Sequence, residues 1–217
     1  MTNTAVRVSV QQLFESEFVA KTEGLTKYEH SEITATFCEA SLVDEAKSYL
    51  ECVANYIVTS NAKLRAGETL GYGYWLTTFR DTGDNSLEVW EYNAEATDFV
   101  RGASLTLRYW KDQQAVCEKY ASPFEPPVAD QLTVISKGVF EGLPVQGVRY
   151  PSPDTMSGWW ITTDEYDGEV TSLQREHTYH LTAHRPELAK YLALRSGFRF
   201  DFSIHEDVWF EEEVARG

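Results

Sequence analysis

The chain has 217 residues, 42% of them hydrophobic and 13% aromatic, which is ample for a buried core and excludes a disordered or fibrous polymer. Its net charge is −15, with −8 over residues 1–127 and −7 over residues 128–217, so acidity belongs to the whole surface and not to one tail. Such a field repels nucleic acid and anionic lipid and attracts basic partners, and no apolar run nears the roughly 18 residues of a spanning helix.

Residues 1–53 read as a helix–strand–helix extension packed on the first of two modules. Glu15, Glu17 and Glu23 interrupt any leader-like apolar run. Ser9 opens a Ser-x-x-Gln capping box, with Val10, Leu13, Phe14 and Phe18 as an apolar stripe. Ile33, Ala35 and Phe37 alternate with threonines as a short strand. Ser41 then caps a second helix that turns Leu42, Ala46, Tyr49, Leu50 and Val53 inward.

The remainder reads as two tandem copies of a small antiparallel-sheet-plus-helix module, at 54–127 and 128–203, with an acidic tail at 204–217. The fold class is α+β. Strands are expected at 55–59, 70–75, 87–92 and 104–109 in the first copy, followed by a helix capped by Asp112, running to Ala121, with Ala115, Val116 and Tyr120 on one face. In the second copy they are expected at 132–136, 145–150, 159–163 and 178–183. A helix then begins at Pro186, faces Leu188, Ala189 and Leu192 inward, and ends at Gly197. Pro126-Pro127 punctuates the join. Self-comparison supports the duplication: a shift of 76 lays Val58 on Val134, Gly71 on Gly147 and Tyr74 on Tyr150, and a shift of 74 lays Glu91-Tyr92 on Glu165-Tyr166 and Glu95 on Glu169.

A search for chemistry finds no convergent set. His177, His180 and His184 have metal-like spacing, but His177 and His180 fall on opposite faces of the strand expected there, and surface histidines are the simpler reading. His205-Glu206-Asp207 and Glu211–Glu213 diverge along an extended, solvated segment. Asp164-Glu165 and Asp167 lack the spacing of a calcium loop. Gly71-Tyr72-Gly73-Tyr74 suggests a bulge or close packing inside a strand. Nucleophile elbow, phosphate loop and dinucleotide fingerprint are all missing. Cys38, Cys52 and Cys117 make no disulfide framework, which suits reduced thiols in the cytoplasm. No catalytic residue, metal or cofactor is expected. Of the adjacent tryptophans, one of Trp159 and Trp160 faces the core and the other the surface, where a tryptophan beside carboxylates suits an interface.

The second copy resembles a known family. Val134-Ile135-Ser136-Lys137, Gly147-Val148-Arg149-Tyr150, Asp154 with Ser157-Gly158-Trp159, and Asp164-Glu165-Tyr166 follow, over about residues 131–200, the pattern of immunity protein 33. Two residues separate Asp154 from Ser157 where the family's turn is contiguous, and Asn85-Ser86-Leu87 replaces the turn in the first copy. The resemblance implies a cytoplasmic immunity protein that binds and blocks a cognate toxin, including toxins delivered by type VI secretion. An acidic protein of this kind suits a basic nuclease, a DNase above others. The expected contacts are Trp159, Trp160, Asp164, Glu165, Asp167 and Glu169, with Glu91 and Glu95 from the first copy as secondary candidates. The alternative is a regulatory or scaffold module without a toxin.

Overall fold

Alternating valines open the chain as a hairpin. In the computed structural model, which describes residues 6–216, β1 (Arg7–Phe14) and β2 (Glu17–Glu23) pair antiparallel. Val6, Val8 and Val10 turn inward with a period of two, while Leu13 and Phe14 stand exposed at the hairpin end. The helix expected at Ser9 is therefore a strand, and the Ser9 hydroxyl donates to Glu23 on the neighbouring strand. β3 (Glu32–Phe37) follows as expected, with Ile33, Ala35 and Phe37 buried.

α1 (Val43–Ser60) buries Ala46, Tyr49, Leu50 and Val53, as the periodicity requires, and then continues. Ala54 and Ile57 extend the same stripe, and Asn61 closes the helix in the left-handed conformation at φ 49°. The strand expected at 55–59 is thus the end of this helix. Burying Ile57 outweighs the few tenths of a kcal/mol, roughly, that β-branched residues cost a helix. The strand expected at 70–75 is found in its first half, as β4 (Thr69–Tyr72), but a turn made by Gly73 at φ 59° ends it and leads into β5 (Trp75–Asp81). β6 (Ser86–Tyr92) and β7 (Phe99–Arg101) complete a sheet of order β1-β2-β3-β6-β5-β4, with β7 beside β6. The sheet is mixed: β3 and β6 run parallel and the other neighbours antiparallel.

The segment at 104–109, expected as a strand, opens α2 (Ser104–Lys119). Ala103, Leu107 and Trp110 are spaced four and three apart and pack against the core, a helical period that outranks the local alternation. Asp112 lies inside this helix instead of capping it. Ala115 is exposed, while Gln113 and Cys117 are buried. Burial pushes the Cys117 thiol up to about 11, so it stays protonated.

Residues up to Lys111 form one compact unit and residues from Asp112 a second, the division falling within α2. In the second unit β8 (Leu132–Ile135), β9 (Gln146–Arg149), β10 (Met156–Thr162), β11 (Gln174–His177), β12 (Phe198–Asp201) and β13 (Asp207–Phe210) form a sheet of order β11-β8-β10-β9-β12-β13. β8 and β10 are parallel and the other pairs antiparallel. The segment at 178–183 is helical, not a strand: α3 (Thr178–His184) buries Thr178, Leu181 and Thr182 on one face. A 3-10 turn at Pro186–Tyr191 buries Leu188 and Ala189 as expected. It ends before Gly197, which at φ 96° leads instead into β12. The segment at 204–217 is ordered in part, since β13 pairs with β12 and the short α4 (Glu212–Arg216) follows it.

Both units contain one arrangement: a strand, a connection, then a hairpin whose second strand returns parallel beside the first. It is β3-β6-β5 in the first unit and β8-β10-β9 in the second. The shifts of 76 and 74 do not trace it. They lay helical Val58 on strand residue Val134, and strand residues Glu91-Tyr92 on the turn at Glu165-Tyr166. The likeness of the units lies in strand arrangement and not in the residue pairing read along the chain.

Candidate functional site

Most residues that carry the family resemblance hold the second unit together. A Cβ on Gly147 would lie 2.2 Å from the Phe200 ring, so only glycine admits that ring against β9. Gly158, at φ 83°, approaches the Tyr150 carbonyl so closely that a Cβ would sit 2.4 Å from its oxygen. Ser157 Oγ is 2.8 Å from Thr133 Oγ1 and accepts the Trp159 N–H. Trp159 is fully buried and donates its indole N–H to the Leu192 carbonyl at 2.9 Å. It is a core residue and cannot meet a partner docked on the folded chain.

Arg149 is buried as well. Its Nε donates to the Ser157 carbonyl at 3.0 Å, and its Nη1 to those of Glu125, Leu192 and Leu194 at 2.6, 3.1 and 2.6 Å. Burial lowers its pKa to about 10, well above neutral pH, so a charged guanidinium ties three main-chain segments together through four carbonyls.

The opposite face of the sheet is different. Strand register places Arg175, Val134, Trp160, Val148, Arg199 and Trp209 in one row across β11, β8, β10, β9, β12 and β13. Trp160 is half-buried and meets Tyr150 edge-on at 6.0 Å. Arg199 lies 5.6 Å over the Trp209 ring and pairs with Glu211 at 2.7 Å. Between Trp160, Tyr150, Met156, Pro151, Pro153 and Val134 lies an apolar groove of about 420 Å³. Trp160 is an expected contact, whereas Tyr150 stands only in the repeat and family patterns, and Met156 and the two prolines are not singled out by the sequence. Their convergence depends on the β9–β10 register, which no local motif announces.

The acidic residues expected as contacts separate into distinct roles. Asp164, Glu165, Asp167 and Glu169 lie exposed on the loop after β10, at the end away from Met156. Glu165 pairs with Lys137 at 3.0 Å. Asp167 accepts the Glu169 N–H and the Ser172 hydroxyl, and these bonds hold its carboxyl below the usual range. Glu95 is exposed in the first unit. Glu91 is buried: its carboxylate accepts the N–H of Leu105 at 3.0 Å, the N–H of Thr106 at 2.6 Å and the Thr106 hydroxyl at 2.7 Å, which caps α2. Burial raises its pKa, against the pull of those hydrogen bonds.

The histidines are placed differently from expectation. β11 ends at His177 and α3 begins at Thr178, so the His177 and His180 rings come within 6.0 Å of each other instead of facing apart. Even so, no group of three or more His, Cys, Asp or Glu able to hold a metal occurs among the described residues. In the first unit a hollow of about 290 Å³ is lined by Ser16, Glu17, Cys38, Arg101 and Ser104. There Arg101 is paired with Glu88 at 2.7 Å and Glu17 at 3.3 Å, and the Ser104 hydroxyl donates to Cys38 Sγ at 3.2 Å. No helix among the described residues is long and apolar enough to cross a membrane.

The second unit is thus a mixed sheet packed on one face, with the rings of Trp160, Tyr150 and Trp209 on or beside the other. Residues 112–211 match the family model of the Imm33-like domain. This match falls within the second unit and agrees with the resemblance to immunity protein 33 carried by Gly147-Val148-Arg149-Tyr150 and Ser157-Gly158-Trp159. No curated protein and no solved structure matches the chain.

Proposed function

We propose that this chain is a non-enzymatic, cytoplasmic immunity protein that binds a cognate secreted toxin and neutralises it in a stoichiometric complex. The observation that carries the reading is the Imm33-like domain at 112–211, with the aromatic face of its sheet open. The net charge of −15 favours a basic target, and a nuclease must be basic where it holds phosphate. The finer reading is a DNase delivered by type VI secretion. Contacts are expected from Trp160 together with Asp164, Glu165, Asp167 and Glu169. A β-strand advances about 3.3 Å per residue, so this loop begins within reach of a partner covering Trp160.

The test is co-expression with the product of an adjoining toxin gene. Growth rescue together with co-purification at a one-to-one ratio is expected. Co-purification without rescue would instead favour a scaffold or regulatory module, and the absence of both rescue and co-purification would remove the reading.

A further inference from the structure

The groove beside Trp160 has a neighbour. Its wall of Tyr150, Pro151, Ser152 and Met156 also bounds a second hollow of about 290 Å³, which Glu125, Gln131 and Asp154 edge. The two hollows differ in kind. The first is apolar, whereas the second is lined mostly by polar groups. Arg149 lies against the second, but it is buried and four main-chain carbonyls engage it, while Glu125 and Asp154 are exposed.

We infer that the two hollows form one docking site, for a protein segment that presents an apolar side chain next to a lysine or arginine. The apolar side chain enters the groove, where the Trp160 and Tyr150 rings offer large, stiff contact area. The cation crosses the shared wall to Glu125 and Asp154. Side chains one or two residues apart in an extended segment are separated by roughly 3–7 Å along the chain, which suits hollows that share a wall. Charge decides the class of occupant, since an anionic segment would meet two exposed carboxylates and a chain of net charge −15. This inference rests on the proposal that the chain neutralises a basic protein, and it supplies the chemistry of the contact.

The test uses the full chain, labelled with nitrogen-15 and titrated with N-acetyl-Leu-Arg-amide. N-acetyl-Leu-Glu-amide and N-acetyl-Ser-Arg-amide serve as comparisons. The Leu-Arg peptide is expected to shift the Trp160 indole N–H and the Gly158 amide at about tenfold lower concentration than either comparison. Asp154→Lys combined with Glu125→Lys, two exposed positions, should bring the Leu-Arg response down to the Leu-Glu level. Equal responses to Leu-Arg and Leu-Glu, responses confined to the first unit, or no response would each overturn the inference. The outcomes stay separable from those of the functional proposal. A chain that rescues cells but ignores the Leu-Arg peptide loses this site and keeps its function, and the converse result keeps the site and removes the function.

Discussion

The outward faces of the two sheets carry similar residues and treat them differently. On the first sheet the charges and rings are already matched. Arg101 is held between Glu88 and Glu17, Arg80 lies 5.6 Å over Trp90, and Tyr92 stacks on Phe99 at 4.6 Å. On the second sheet Arg199 is matched in the same way, over Trp209 and with Glu211, but Trp160 and Tyr150 meet only edge-on and leave a groove between them and the prolines. A face whose groups are satisfied among themselves gains little from a partner. An apolar groove left exposed to solvent gains from being covered. The family match falls on the unit with the unsatisfied face.

The largest expected effect separates the adjacent tryptophans. Trp159→Ala empties the core and removes a donor from the Leu192 carbonyl, so it should cost about 4 kcal/mol in denaturant unfolding. Trp160→Ala should cost about 1 kcal/mol and should weaken partner binding instead. Comparable stability losses for the two would mean that the outer face is part of the packing and not an interface. Arg149→Met tests the same division. It leaves four main-chain carbonyls without their donor and should cost about 3 kcal/mol.

A smaller effect sharpens the comparison between units. Glu91 and Glu165 correspond at a shift of 74, yet one caps a buried helix end and the other is an exposed partner of Lys137. Glu91→Ala should cost about 2 kcal/mol, whereas Glu165→Ala should stay within about 0.5 kcal/mol. The sign of the pH dependence follows from burial, which raises the Glu91 pKa in the folded chain. Its contribution is fully present below the unfolded glutamate pKa and declines as pH rises through the raised folded value. Unfolding measured across that window should therefore fall more steeply for the natural chain than for Glu91→Gln. Parallel curves would contradict the assignment.

Sequence reasoning succeeded where one element's own periodicity decides its surroundings. The inward faces of β3 and the first half of α1, and the burial of Leu188 and Ala189, needed nothing from elsewhere in the chain. It failed where a distant group decides. Leu105, Leu107 and Tyr109 alternate like a strand, but Glu91, fourteen residues before Leu105, caps the segment as a helix. Ser9 looked like a cap, but the valines around it belong to a hairpin. The site divides in the same way. Alternation along one strand put one tryptophan inside and one outside, and only the register of β8, β9 and β10 brings Trp160 to Tyr150 and Met156. Burial removes Trp159 and Glu91 from the expected contacts, because both serve the fold, Trp159 through the Leu192 carbonyl and Glu91 through Leu105 and Thr106.

The most direct test of the proposed interface is the protection of cells that co-express a toxin encoded beside this chain, with one variant on each sheet. Trp160→Asp should abolish protection while circular dichroism shows the fold retained, and Arg80→Asp on the first sheet should protect as well as the natural chain. Full protection by Trp160→Asp, with loss of protection in Arg80→Asp, would place the interface on the wrong unit and contradict the account.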